Sequence, residues 1–419
     1  MGPLIGIDFG TTNSVVAILD PDGGVRTHRF PVGKAMLDVF RTLLCFWSEE
    51  RRGLHHAAGP FAIEAYLDDP LDSRLIMSMK TYLAQRSFTQ TNIFGRLFSL
   101  EQLVALFLRA LLGQTHDGAH VVAGRPVRFA GELADDAFGE ERLRASFAQA
   151  GFPRIDVALE PEAAGYRFAR TLNAPATVLV GDFGGGTSDF SVMRFDRGVE
   201  PLGYAGIGIA GDTFDYRIID NAISPLLGKD DLYTVMGKKM PVPREYFSGF
   251  ARWHQLSMMR TPRTLRDINA VAVTSERPER LRQLIRLIED EMGYPLYQVV
   301  SSVKAELSLR QSATLRFAHA DLRIEREIAR TEFEAWITDD LRRIAATVEQ
   351  ALANANVGPG AIDRVFLTGG TSFVPAVRAL FEQRFGAAKV SGGGEFVSVA
   401  EGLALIGRDR GFAKSWDAD

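Results

Sequence analysis

The sequence predicts an α/β protein built from two similar lobes. Three observations predict it. Strand-like apolar runs alternate with stretches of helical periodicity. A strand–turn–strand pattern occurs twice, once near the N-terminus and once near residue 180. The chain has 419 residues, more than one ordinary core holds, so two to three domains or lobes are expected.

The first copy of the pattern is IGIDFGTTNSVVAI, from Ile5 to Ile18. An acidic residue among apolar neighbours is costly to bury unless something pairs with it. The second copy is VLVGDFGGGTSDFSV, starting at Val178, and Asp8-Phe9-Gly10-Thr11-Thr12 aligns with Asp182-Phe183-Gly184-Gly185-Gly186. Glycines let backbone N–H groups approach an anion, and a turn of successive N–H groups forms a concave anion site. Thr11, Thr12 and Thr187 add hydroxyl donors. Asp8 and Asp182, one per copy, would repel a phosphate directly. They are intelligible if Mg²⁺ lies between them and the phosphates, held through water. The pair reads as a two-sided clamp on a Mg-polyphosphate.

A third glycine turn lies in VFLTGGTSFVPAVRALF, where Gly369-Gly370 follow a strand and Pro375 opens a helix. A turn at a helix N-terminus suits the α-phosphate or ribose end of a nucleotide. Elsewhere the signals are structural. Ser99-Leu-Glu-Gln102 is a capping box opening a helix with Leu100, Leu103, Val104, Phe107, Leu108 and Leu111 on one face and Gly113 at its end. Thr331-Glu-Phe-Glu334 reads as a second capping box, opening a helix that carries Phe333, Ile337, Leu341, Ile344, Val348 and Leu352. The segment 221–300 lacks a clean period. Its Tyr246, Phe247, Phe250 and Trp253 fit a helical subdomain with its own small core better than a partner surface. VSGGGE, 390–395, is the most flexible-looking stretch, and AKSWDAD at the end reads as a short tail.

The bulk composition excludes several classes. A net charge of -4 gives no nucleic-acid footprint and no polybasic membrane surface. No apolar run reaches the roughly 18 residues of a membrane helix, and no signal peptide is read at the N-terminus. The single cysteine, Cys45, lies in the apolar run LLCFW and reads as a buried structural thiol. A reducing cytoplasm is the expected compartment.

These motifs together resemble the actin-like ATPase superfamily, and within it the heat-shock protein 70 nucleotide-binding domain. IGIDFGTTNS is similar to that family's first phosphate motif, GDFGGGTSDFSV to its second, ALEPEAAGYRFA (158–169) to its connecting motif and VFLTGGTSFVPAV to its adenosine motif. The order is the family's, over nearly the whole chain. The resemblance implies two actin-like lobes with mixed sheets around a nucleotide cleft. The expected boundaries are 1–165 for the first lobe and 166–390 for the second, with a helical subdomain near 215–300. A C-terminal helix within 391–419 would return to the first lobe. The resemblance implies ATP or ADP with Mg²⁺ as cofactors and slow ATP hydrolysis.

It implies roles residue by residue. Lys80 matches the ATPase lysine, and Glu160 the glutamate that orients water. Asp8 and Asp182 would position Mg²⁺ through its water shell, and Thr12 and Thr187 would contact the γ-phosphate. Asp189 matches a further acidic position of the second motif. Gly10, Thr11, Asn13, Gly184, Gly185, Gly186, Gly211, Gly369, Gly370 and Thr371 fall at nucleotide-contacting positions. Pro126 and Arg144 match the proline switch and arginine relay, although Gly124-Arg125-Pro126 departs from the usual Val-Pro. On the adenosine side Lys304 and Ser308 match. Ser301 replaces the usual glutamate, Ala305 the usual arginine, Phe373 the adenine-stacking arginine, and Phe396 stands near the late aspartate.

The chain ends soon after this domain, which resembles the short YegD-like group of heat-shock 70 relatives without a peptide-binding domain. The function expected is an ATP-binding, slowly hydrolysing chaperone-like switch, with client or co-chaperone proteins as partners. Two alternatives stay open: a nucleotide sensor or filament-forming actin-like protein without significant turnover, and a small-molecule kinase using Asp189 or Glu160 as base.

Overall fold

Two sheets of the same plan organise the chain in the computed structural model, which describes residues 3–32, 35–49, 53–69, 72–113, 118–130, 134–169, 174–196, 199–249, 256, 259–392 and 398–411. In the first, strand Leu4–Phe9 pairs antiparallel with Asn13–Leu19 and parallel with His120–Arg125. Val25–Thr27 continues the antiparallel side, and Ile155–Leu159 the parallel side. In the second, Ala176–Phe183 takes the central place. Ser188–Phe195 and Val199–Ile207 lie antiparallel on one side, Arg364–Thr368 and Val390–Gly392 parallel on the other. The repeated turn is thus the hairpin turn at the heart of each sheet. Leu4, Ile5, Ile7 and Phe9 are all buried. A strand covered on both faces reads as a continuous apolar run.

Contacts divide the chain into two compact units, Met1–Gly211 with Arg342–Asp419, and Asp212–Leu341. Both sheets belong to the first unit. Between them lie helices Glu160–Ala169 and Ser398–Asp409. Leu4 and Val122 from one sheet and Val178 and Val180 from the other share an apolar cluster with Ala163 and Leu403 of these helices. The two helices touch backbone to backbone: a Cβ on Gly402 would fall 1.8 Å from the Ala163 carbonyl oxygen. On the outer side of the first sheet packs helix Leu100–Leu112. Ser99 Oγ accepts from the Gln102 N–H at 3.3 Å and Gln102 Oε1 accepts from the Ser99 N–H at 2.9 Å. Gly113, at φ 59°, ends the helix. Leu103, Phe107 and Leu108 are fully buried, each contributing roughly 2 kcal/mol through lost apolar surface. Cys45 is buried in strand Leu43–Glu49, and burial pushes its thiol up to about 11.

The expected helix from Thr331 is different. The chain enters it earlier, at Arg330, because Glu332 accepts from the Ala329 N–H at 3.0 Å and so caps the preceding residue. It then breaks at Ile337, giving Arg330–Trp336 and Thr338–Asn354. Phe333, Ile337, Ile344, Val348 and Leu352 are buried as the spacing predicts, and Leu341 is half-buried.

The Asp212–Leu341 unit is mainly helical. Helices Pro262–Thr274, Pro278–Glu289 and Gly293–Leu309 bury Ile268, Leu281, Leu284, Leu287 and Val300, and two hairpins, 232–241 and 312–329, complete it. Phe247 is core and Tyr246 half-buried. Phe250, Trp253, Phe396, most of VSGGGE and the AKSWDAD tail lie outside the described residues. The unit's buried aspartates are each paired. Asp340 takes both Nε and Nη2 of Arg217, at 2.7 and 3.0 Å. Asp231 meets Arg280 at 3.1 Å and Arg277 at 3.3 Å. Asp215 meets Lys304 Nζ at 2.8 Å. No helix among the described residues is long and apolar enough to cross a membrane.

Candidate active site

The two hairpin turns are built alike. A Cβ on Gly10 would fall 2.1 Å from the Asn13 carbonyl oxygen, and the equivalent Cβ on Gly184 would fall 3.4 Å from that of Thr187. Gly184 N–H also donates to the Thr187 carbonyl at 2.9 Å. The turns face one another: a Cβ on Gly186 would stand 3.5 Å from Thr11 Oγ1 and 3.9 Å from Thr81 Oγ1. Two small-residue turns with hydroxyls between them, free of bulky side chains, leave amide donors accessible to an anion. Asn13 is fixed by Arg41, whose Nη1 donates to its Oδ1 at 3.0 Å, and the Thr12 carbonyl accepts from the Thr42 N–H at 2.9 Å.

Around the turns stands an unbalanced set of charges. Lys80, in the short turn Met79–Tyr82, is 7% exposed, and its Nζ donates to Glu160 Oε1 at the start of the connecting helix, itself 5% exposed. Burial alone would lower the lysine, but the carboxylates of Glu160, Asp8 and Asp182 together hold it above its ordinary value. Burial, then Glu160, push Asp8 well above the usual carboxylate range, against the pull of Lys80. The same causes push Asp182 up to about 8, with Asp189 adding to the push, and Asp189 up to about 7. Four carboxylates share one buried cation.

These values have a physical reading. A carboxylate holds its proton this strongly when neighbouring negative charge is not offset. The cluster therefore fits a further cation. Among the described residues no three His, Cys, Asp or Glu side chains converge to ligate a metal directly. The donor set accordingly suits a hydrated divalent ion held through its water shell, as Mg²⁺ prefers.

The third turn adjoins the second phosphate turn. Asp182 stands in register with Thr368, and Gly369 presses on Phe183. Gly369 has φ +85°, and a Cβ there would fall 2.0 Å from the Phe183 carbonyl oxygen. Only glycine satisfies both the left-handed backbone and the close approach. Thr371 is buried, Ser372 Oγ bonds the Gly369 carbonyl at 2.6 Å, and Phe373 closes the turn 52% exposed. Gly211 N–H lies 3.5 Å from the Gly184 carbonyl. Lys304 and Ser308 belong to the other compact unit. There Lys304 pairs with Asp215, and Ser308 Oγ bonds the Lys304 carbonyl at 3.1 Å.

Some partners carry no signal in the sequence. Asp189 Oδ1 accepts from the backbone N–H of Val127 at 2.9 Å and of Arg128 at 3.4 Å. Arg144 is held by Glu140 at 2.9 Å, and the same Glu140 meets Arg125 at 3.2 Å, next to Pro126.

Comparison with known proteins matches this geometry. Residues 285–408 match the family model described as Hsp70 protein. The chain is 25% identical over 411 residues to the chaperone protein DnaK of Deinococcus radiodurans, covering 92% of this chain and 56% of that one. It is 25% identical over 400 residues to a chaperone protein DnaK of Thermus thermophilus, covering 92% and 57%. A third similar protein, the chaperone protein DnaK of Guillardia theta, is 25% identical over 411 residues, covering 91% and 56%. The chain spans just over half the length of these curated relatives. With the motif order and the duplicated sheet plan, these matches put the chain among the Hsp70 proteins, and what it carries is their nucleotide-binding domain in the actin-like ATPase fold.

Proposed function

We propose that this site binds Mg-ATP and hydrolyses it slowly, so that the protein works as a chaperone-like switch. The observation that carries the reading is the charge imbalance beside two facing phosphate-type turns: Asp8, Asp182, Asp189 and Glu160 against Lys80. The amides and hydroxyls of Gly10–Asn13 and Gly184–Thr187 cradle the phosphates. Asp8 and Asp182 would hold a hydrated Mg²⁺, whose chemistry when bound is to offset polyphosphate charge. Lys80 meets negative charge developing on the γ-phosphate and the attacking water. Glu160, fixed by Lys80, orients that water. Gly211, Gly369, Gly370, Thr371 and Phe373 would contact the rest of the nucleotide, together with Lys304 and Ser308. A division into lobes 1–165 and 166–390, with the C-terminal helix returning to the first, belongs to the same reading. So do a cytoplasmic location and client or co-chaperone partners, supported by the printed names of the relatives.

The test is single-turnover hydrolysis by the purified protein, with Mg²⁺ and with EDTA. Slow ADP formation that EDTA abolishes is the expected result. Lys80→Ala should lower the rate about 100-fold or more while nucleotide binding persists; wild-type turnover in that variant would remove Lys80 from its role. A sensor without turnover is the second reading. It is favoured by the commitment of Lys304 to Asp215 and by the uncharged ring of Phe373. Tight binding with no ADP formed would select it.

A further inference from the structure

We propose that Asp189 is a positioning residue: its carboxylate ties the Pro126–Arg128 segment to the sheet that carries the second phosphate turn, and lets the order of that segment follow the charge held at Asp182. The coupling half rests on the nucleotide reading above; the tether half does not.

Three segments converge on one oxygen. Asp189 is 1% exposed, and its Oδ1 accepts from the Val127 and Arg128 amides. Gly206, on the neighbouring strand, makes room for this: a Cβ there would fall 2.5 Å from Asp189 Oδ1 and 3.4 Å from the Arg128 nitrogen. Pro126, which has no N–H, is buried immediately before the two donors. A buried carboxylate receiving backbone N–H groups makes charge-assisted bonds, stronger than neutral ones.

The link to the phosphate turn is the sheet register. Asp182 and Asp189 are direct partners across the antiparallel pair of strands Ala176–Phe183 and Ser188–Phe195. Directly opposed residues share a face, and like charges so placed repel. A cation held at Asp182 removes the repulsion, and Asp189 then grips its two amides more firmly. The Pro126–Arg128 segment continues from Arg125, so a change in its order begins beside the Arg125–Glu140 pair.

Amide hydrogen exchange of wild type, Asp189→Asn and Gly206→Ala, each with and without Mg-ADP, tests both halves. Without nucleotide, the Val127 amide should exchange about tenfold faster in both variants than in wild type. With Mg-ADP, protection at Val127 and Arg128 should rise in wild type and not in the variants, while protection at Gly10–Asn13 rises in all three. Equal Val127 exchange in wild type and variants would overturn the tether. A rise at Val127 retained in the variants would overturn the coupling. If wild type shows no protection at Gly10–Asn13, the nucleotide reading and the coupling fall together, and the nucleotide-free comparison still decides the tether. Should Asp189→Asn fail to fold, Gly206→Ala displaces the carboxylate without removing it.

Discussion

The two compact units treat buried carboxylates in opposite ways. In the Asp212–Leu341 unit, Asp340, Asp231 and Asp215 each meet at least one cation within 3.3 Å. In the other unit, Asp8, Asp182, Asp189 and Glu160 share Lys80, and three of the four are pushed upward as a result. Paired charges fix a fold and ask for nothing more. Unpaired charges persist in a folded protein where a ligand supplies what is missing, at a standing cost to the empty form. The difference separates structural electrostatics from functional electrostatics without reference to any relative.

The comparison breaks most visibly if the pairs prove dispensable. Arg217→Ala leaves Asp340, 1% exposed, without its cation, and should cost about 3–5 kcal/mol by urea unfolding. A loss near zero would mean that the paired unit is not held by its pairs. Asp215 sharpens the contrast through pH. Burial pushes it up to about 6 despite Lys304. Its folded value lies above its unfolded value, so its contribution to stability is complete below pH 4 and lost as pH rises through 6. Wild type should therefore gain roughly 1 kcal/mol on Asp215→Asn between pH 7 and pH 5. A flat difference across that window would show that Lys304 compensates the carboxylate fully. The smallest effect has the least expected sign. Asp182→Asn should stabilise the nucleotide-free protein by a few tenths of a kcal/mol, up to about 1, by removing a repelled charge. Because Asp182 is pushed up to about 8, the gain should be slight at pH 6 and grow toward pH 9. Thermal unfolding at the two pH values reads it, and destabilisation at pH 9 would place Asp182 among the paired groups.

Much of the fold was legible because the same turn is written twice. Asp8-Phe9-Gly10 and Asp182-Phe183-Gly184 each sit between two apolar runs, and each becomes the central hairpin of a sheet. The strand order was not legible. Arg364–Thr368 lies beside Ala176–Phe183 through packing across nearly two hundred residues, which no local pattern encodes. The capping box at Thr331 was misread because Glu332 and Glu334 offer competing caps two residues apart, and Glu332 reaches the Ala329 amide first. Within the site, the glycines and aspartates announce themselves by composition. Lys80 does not: SMKTY is unremarkable alone, its partner Glu160 is eighty residues away, and only family resemblance singled it out. The partners of Asp189 were invisible for a simpler reason. They are backbone amides, and every residue except proline has one.

The contact between helices Glu160–Ala169 and Ser398–Asp409 has a mechanical consequence. At Gly402 the helices meet through bare backbone, with no side chain between that could change rotamer and give way. Backbone seams of this kind resist stretching, because any separation opens a void whose lost contacts nothing replaces. They resist rotation far less, since a surface without protruding side chains has no teeth to catch. The two sheets that carry the repeated turns are thus joined by something closer to an axle than to glue. Whatever enters between Thr11 and Gly186 can rock the turns toward or away from each other while the spacing at the axle stays constant.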